Sequence, residues 1–356
     1  MSPADGGIDI TVEIDGGVIR HVGIVNRRPR GIGQSLLGLP LADLPATVTR
    51  LFSICRMAQG VAALGALEAA AAVAADPAQL AARRLLLLAE TVLERSVQTC
   101  LHWPALLGEA PLVGPLKTLR AAFADLHRDL YPDGDWLSPG GGRLAPEPGG
   151  LNRRLEAAGE AVRLTGALGW RLRQRVAEDG LGDFGANAVE PLPELSAELL
   201  DCRLAADESF AERPDWLGVP RFTGPLARRP LFGSGLLAHL MAAEIDLAAC
   251  LAEMREGIER LGRDDGQAVV LDGVSGAGLG VVEAARGRLV HRLRADQGRL
   301  GDYRTVAPTE WNFHPDGLLS QGLTGQPAPA DAEFALRLLI TAVDPCVDFT
   351  LTVSHA

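Results

Sequence analysis

Two cysteines far apart in the chain are the residues best placed to do chemistry. Cys55 lies in Arg50-Leu51-Phe52-Ser53-Ile54-Cys55-Arg56-Met57-Ala58-Gln59, which runs straight into an Ala-rich stretch ending near Ala75. That pattern puts a thiol at a helix start. Unpaired backbone N–H groups there carry partial positive charge and bias a thiol toward thiolate, the form that ligates a metal or attacks an electrophile. Cys346 lies in Asp344-Pro345-Cys346-Val347-Asp348-Phe349, close to the far end of the chain, and the fold is expected to bring the two together. Cys100, Cys202 and Cys250 have no such context and read as inert thiols. His102, His239 and His291 lie in apolar stretches with no second ligand at helical or strand spacing, so they read as core or strand residues.

Composition limits the partners of such a site. The net charge of -11 is spread without acidic blocks, which argues against nucleic acid or an anionic membrane, since either needs a basic face. Five cysteines, an odd number in 356 residues, do not make the dense even framework of a small secreted domain and read as reduced. The opening Met1-Ser2-Pro3-Ala4-Asp5-Gly6-Gly7 has neither a basic nor an apolar region, so no secretory signal is expected. The run 57–75 is mostly Ala and Gly and contains Glu68, too weakly hydrophobic for a membrane span. A cytoplasmic location is the expectation.

The elements that must position the cysteines can be read from periodicity. Ile8, Ile10, Val12 and Ile14 alternate with Asp9, Thr11 and Glu13, Asp15-Gly16-Gly17 turns the chain, and Val18 to Val25 continues, which predicts a hairpin. Residues 27–46 read as loop. Segments 47–75, 78–102 and 116–130 have helical spacing and strong helix formers, with Pro77 and the 104–115 region as breaks. The Gly/Pro-dense 131–150 reads as an exposed loop or internal linker, and 151–179 returns to helix. Residues 180–230 carry no clear pattern, and 233–261 predicts a long helix. The last hundred residues switch to strand signals at 268–271, 278–284, 289–295 and 303–306, and a final helix over about 330–342 delivers Asp344-Pro345-Cys346. The fold class is α+β: one domain over 1–356, with a hairpin and loop over 1–45, a central long-helix bundle over 46–262, and a small β-sheet with a terminal helix over 263–356.

The glycines of Gly273-Val274-Ser275-Gly276-Ala277-Gly278-Leu279-Gly280-Val281-Val282-Glu283 are not a phosphate cradle. Such a loop must come after a strand and open a helix so that N–H groups face the anion. Here Val281-Val282-Glu283-Ala284-Ala285-Arg286-Gly287 reads as strand and turn, and the glycines read as allowing close backbone packing in a sheet.

In order and spacing, four stretches resemble the large subunit of nickel-iron hydrogenases from end to end. They are the opening strand pair with Arg27 to Gly38 leading into Arg50 to Leu67, the segment Gly278 to His291 with its Glu283-Ala284-Ala285-Arg286-Gly287 turn, Tyr303-Arg304-Thr305-Val306-Ala307-Pro308-Thr309-Glu310-Trp311-Asn312, and Asp344-Pro345-Cys346. The family holds its metals with two Cys-x-x-Cys pairs, in Arg-x-Cys-Gly-x-Cys-x-x-x-His and Asp-Pro-Cys-x-x-Cys-x-x-His or Arg. Each pair is broken here. Arg50 and Cys55 match the first pattern, while Phe52 replaces its first cysteine, Ser53 the glycine and Gln59 the histidine. Asp344, Pro345 and Cys346 match the second, while Phe349 replaces its last cysteine and Thr352 the closing histidine; His355 is a displaced candidate for that histidine. A four-thiolate nickel site needs four soft anionic ligands, which two phenylalanines cannot supply, so no nickel is expected.

The iron side looks better preserved. In the family the arginine of a Pro-Arg-Gly turn contacts the iron's cyanide ligands, and Arg286 is retained although Ala285 replaces the proline. Only Asp5-Gly6-Gly7 stands near the family's proton-transfer segment Arg-x-Glu-Gly-His, and the C-terminal extension that large-subunit precursors lose is expected to be missing after Ala356. This combination is similar to the HupK or HoxV type of hydrogenase expression/formation protein, which serves maturation rather than turnover.

The resemblance implies a scaffold. Cys55 and Cys346 would hold iron as an Fe(CN)2CO unit carried transiently, with Arg286 donating to a cyanide nitrogen. Cys346 matches a terminal nickel ligand, so Asp348 is a candidate substitute on the iron side. The implied partners are maturation chaperones of the HypC type and the hydrogenase large subunit. The alternatives are a metal-free adaptor binding the maturation machinery and, less favoured, a divergent redox enzyme. Two thiolates on one iron at about 2.3 Å each would lie within about 4 to 8 Å of one another. Phe52 and Phe349 are expected to fill the space of the missing thiols. Arg286 is expected to owe its place to the cargo, because a buried guanidinium that meets no anion is costly. Trp311 and Asn312 read as an aromatic anchor and a turn-capping amide.

Overall fold

The computed structural model describes residues 6–29, 31–52, 54–231 and 233–355. The chain opens with the expected antiparallel hairpin, β1 (Ile8–Asp15) and β2 (Val18–Asn26), turned by Gly16 and Gly17, both at positive φ. Its inward residues Ile8, Ile10, Val12 and Ile14 are buried, as the alternation requires. A third strand completes this sheet. The end of the chain, β6 (Phe349–His355), pairs with β1 in parallel, Ile8 opposite Phe349 and Ile14 opposite His355.

The segment 47–75 is two helices, α1 (Leu44–Leu51) and α2 (Arg56–Ala70), separated by a break that holds Phe52 and Cys55. Helix α3 (Pro77–Val97) starts where Asp76 caps it and Pro77 occupies the first turn. Beyond it come α4 (Val113–Phe123), α5 (Pro148–Arg163) and α6 (Gly166–Glu178), then α7 (Ala197–Ala206) within the stretch that carried no pattern, and α8 (Leu236–Glu259). The stretch 131–150 is not an exposed loop. Tyr131, Trp136 and Leu144 are buried, the Tyr131 hydroxyl donates to Gln79 Oε1 at 2.9 Å, and the Gly140 N–H donates to Glu68 at 2.7 Å. Gly140 and Gly141 take positive φ beside Gln267 and Gln79, so they serve close packing rather than exposure.

The second sheet is β3 (Gly276–Ala284), β4 (Gly287–Asp296) and β5 (Arg299–Val306) in sequential antiparallel order. The expected strand at 268–271 is absent: those residues have no regular structure. Glycines of β3 lie against the alanine face of α2. A Cβ on Gly278 would sit 2.0 Å from the Ala66 carbonyl oxygen, and one on Gly280 would sit 1.9 Å from that of Ala62. The glycine run therefore serves close backbone packing, as the sequence predicts, but its partner is the Ala-rich helix rather than a neighbouring strand. Helix α9 (Ala332–Val343) then ends at Asp344, whose φ of 64° turns the chain toward Pro345 and Cys346.

Candidate functional site at the meeting of the two cysteines

Five separated segments converge on one small cavity of about 180 Å³. The chain just after β2 contributes Arg28, the α1–α2 break Phe52 and Cys55, the first turn of α2 Gln59, the β3–β4 turn Arg286, the segment after β5 Thr309, and the chain after α9 Cys346. The structure thus brings together Cys55, Cys346 and Arg286. Phe52 lines the cavity as expected, whereas Phe349 does not. It opens β6 opposite Ile8 and packs with the core beneath the hairpin, because pairing with β1 has carried it away. Asp348 is committed to the same sheet, its carbonyl accepting the Ile8 N–H at 3.0 Å, and is not a lining residue. His355 sits at the far end of β6, opposite Ile14.

Cys55 occupies the cap position of α2, where the sequence places it, but the electrostatics run the other way. The carboxylate of Glu90 on α3 already accepts the first-turn N–H groups of Met57 and Ala58 at 2.8 and 2.9 Å. The helix start is therefore committed to Glu90. Burial, then the Glu90 charge, pushes the Cys55 thiol up to about 12, outweighing a donated hydrogen bond from Gln59 Nε2 at 3.5 Å. With nothing bound, Cys55 is a thiol and not the thiolate expected from its position. Burial likewise drives Glu90 up to about 7, against the pull of those two N–H groups.

Cys346 is held by Thr309, whose hydroxyl donates to the sulfur at 3.1 Å and accepts the Cys346 N–H at 3.4 Å. Gln59 is nearly fully buried, and among the described residues its Oε1 has no hydrogen-bond partner. Both residues escaped the sequence reading. Gln59 is noticed there only as a replaced histidine, and Thr309 meets Cys346 across a separation no local pattern reveals.

Arg286 is fixed from behind. Asn312 donates to its carbonyl at 3.2 Å, the Arg228 guanidinium donates to the carbonyls of Ala284 and Ala285 at 3.1 Å each, and Arg95 donates to the Ala285 carbonyl. Gly224 and Gly287, both at positive φ, let the two loops touch where a Cβ would collide. The guanidinium itself pairs with Glu94 at 3.1 Å and Asp344 at 3.2 Å, and Asp344 also takes Arg95 at 2.8 Å. Although burial alone would lower the affinity of Arg286 for its proton, Asp344 and Glu94 raise it, and Arg286 stays charged. This corrects the expectation that cargo explains its retention: two protein carboxylates already meet the charge. Asn312 bridges two distant loops rather than capping its own turn, accepting the Thr223 N–H at 2.8 Å, while Trp311 is a buried anchor, as read from the sequence.

The remaining candidates sort by burial. Cys100, Cys250, His239 and His291 are buried, with Nδ1 of His291 bonded to the Tyr303 hydroxyl at 2.5 Å. His102 is exposed rather than in the core, and Cys202 is exposed. Asp5 falls outside the described residues. Among the described residues no group of three or more His, Cys, Asp or Glu side chains is arranged to hold a metal ion, and no helix is long and apolar enough to cross a membrane.

No family model matches the chain. It is 33% identical to the hydrogenase expression/formation protein HupV of Azotobacter chroococcum mcd 1 over 99% of both chains. It is 30% identical to HupK of Rhizobium leguminosarum bv. viciae, covering 98% of this chain and 96% of that protein, and 29% identical to HoxV of Cupriavidus necator, covering 94% and 93%. Among solved structures, a [NiFeSe] hydrogenase of Desulfovibrio vulgaris Hildenborough superposes with a TM-score of 0.73 at 16% identity over 93% of each chain. An NAD+-reducing [NiFe]-hydrogenase gives 0.72 at 17% identity over 97% of this chain and 96% of that one. The α+β fold is thus that of the hydrogenase large subunit, and the chain belongs to the hydrogenase expression/formation proteins of the HupK, HupV and HoxV type.

Proposed function

We propose that this protein is a scaffold for assembly or transfer of the Fe(CN)2CO unit of the nickel-iron site, with Cys55 and Cys346 as its iron ligands and Arg286 facing a cyanide. The observation that supports this reading is the enclosure of both thiols and a charged guanidinium in one cavity of about 180 Å³. Two soft donors suit iron, and the absence of a third and fourth protein thiolate leaves the remaining positions to ligands the cargo brings. A thiol pushed up to about 12 keeps its proton near neutral pH until a metal takes its place, so loading and proton release are coupled. Phe52 fills what would be the nickel side. On this reading the protein is not an enzyme, works in the cytoplasm, and meets HypC-type chaperones and the hydrogenase large subunit.

Metal analysis and infrared spectroscopy on protein co-expressed with its maturation partners test the proposal. Bound iron with cyanide and carbon monoxide bands is expected, and Cys55→Ser with Cys346→Ser is expected to abolish both while the protein stays folded. The pairing of Arg286 with Glu94 and Asp344 favours a second reading, a metal-free adaptor that keeps the arginine for structure. Iron-free protein that still supports maturation with both cysteines changed to serine would establish the adaptor.

A further inference from the structure

The inner cavity adjoins a larger groove of about 330 Å³, and the two share Arg28, Phe52 and Ala307 in their walls. Arg28 lies just after β2 and is anchored from the groove side. Its Nη1 donates to Glu310 Oε1 at 2.7 Å, while Asn26 Nδ2 donates to Glu310 Oε2 at 2.6 Å. Glu310 and Asn26 line the groove and not the inner cavity. That anchor is the single side-chain hydrogen bond of Arg28 among the described residues, so most of the five donors of its guanidinium are uncommitted. On its other side stand the cysteines, which line the inner cavity together with Arg28. Arg286 lines the same cavity. Two arginines therefore flank the thiols, one held rigidly by Glu94 and Asp344, the other by a single anchor in the shared wall.

We propose that Arg28 is a cargo-binding residue of the two-cysteine cavity, donating hydrogen bonds to a second anionic ligand on the metal unit opposite the one that Arg286 faces. This rests on the iron-scaffold reading of the cavity. A guanidinium whose donors are mostly free suits an anionic acceptor that comes and goes, because the charge-assisted bonds form only when cargo is seated. Its position in the wall shared by the groove and the inner cavity lets it meet an anionic unit from either side. A purely structural role, pinning the end of β2 to the short helix over Pro308–Asn312, predicts loss of stability alone.

The test uses the protein co-expressed with its maturation partners. Iron retained through gel filtration and the cyanide stretching bands are compared among wild type, Arg28→Leu, Arg28→Lys and Arg286→Lys. In Arg28→Leu retained iron is expected to fall roughly tenfold, the scale of a lost charge-assisted hydrogen bond. Arg28→Lys keeps a cation, so retention should stay within about twofold of wild type while one cyanide band shifts. Arg286→Lys should shift the other band. Bands and iron content unchanged in Arg28→Leu would overturn the proposal, as would a fall in melting temperature with no band shift. If Arg28→Leu does not fold, an unshifted spectrum in Arg28→Lys overturns it instead. Wild-type protein lacking iron and cyanide bands overturns the scaffold reading itself, and with it this one; a loaded wild type with insensitive Arg28 variants overturns this one alone.

Discussion

Two buried ion networks tie α2 and α3 to the loops around them, and they differ in what they face. In one, Arg83 on α3 pairs with both oxygens of Glu68 on α2 at 2.8 and 2.9 Å, and Glu68 also accepts the Gly140 N–H. Both side chains are buried, and the network holds the 131–150 stretch against the helices. In the other, Glu94 and Arg95 on α3 meet Arg286 and Asp344 from distant turns, and the Arg286 guanidinium opens onto the cavity that holds Cys55 and Cys346. Burial and pairing are alike in the two. A buried arginine is thus no sign of a site by itself; what marks the second network is the pair of soft donors beside it.

The largest expected effect sharpens this contrast. Glu68→Ala leaves Arg83 buried and unpaired and strands the Gly140 N–H, so it should destabilise the protein by about 3 to 5 kcal/mol. Denaturant unfolding measures that loss, and iron bound per folded molecule should stay at the wild-type level. Stability unchanged in Glu68→Ala would mean the first network is not the staple it looks to be. A smaller effect is expected of Arg286→Lys, because the charge still meets Glu94 and Asp344. It should cost about 1 kcal/mol of stability, yet weaken cargo retention and slow hydrogenase maturation, since a point charge lacks the planar fork. Should Arg286→Ala leave iron content and maturation intact, Arg286 belongs with Arg83 as a structural ion, and the scaffold reading rests on the cysteines.

The sequence shows some of these features better than others for a physical reason. Hairpin β1–β2 announces itself by strict alternation, and the glycines of β3 announce a close approach whose partner, the alanine face of α2, is legible in composition. The convergence of Cys55 and Cys346 is legible only through motif resemblance, because 291 residues separate them (346 − 55) and no periodicity spans that distance. Glu94 meets Arg286 across 192 residues and leaves no local trace. Strand β6 leaves a trace, Phe349, Leu351 and Val353 alternating with Thr350, Thr352 and Ser354, yet Phe349 also falls at a cysteine position of the family motif, which points it toward the cysteines. Glycine and proline density over 131–150 reads as exposure. Tight packing of Gly140 and Gly141 against glutamine side chains needs the same residues.

The smallest expected effect concerns Glu90, which belongs to neither network and touches the site through helix α2. Burial drives its folded-state value up to about 7, from an ordinary 4.5. The folded state therefore binds this proton more tightly than the unfolded chain does. The stability Glu90 contributes is fully present below about pH 4.5 and is lost as pH climbs through about 7. The loss should amount to about 2 kcal/mol once the fraction of the side chain that water reaches is discounted. Glu90→Gln keeps an oxygen for the Met57 or Ala58 N–H but cannot titrate, so its melting temperature should vary less than that of wild type across this window. The same change removes the second-largest influence raising Cys55. Alkylation of Cys55 by a neutral reagent at pH 8 should then run a few-fold faster, since the thiolate is the reacting form. A melting profile that keeps its wild-type slope would show that another group titrates there. Unchanged alkylation would show that burial alone holds Cys55 protonated, leaving metal loading as the means of drawing off its proton.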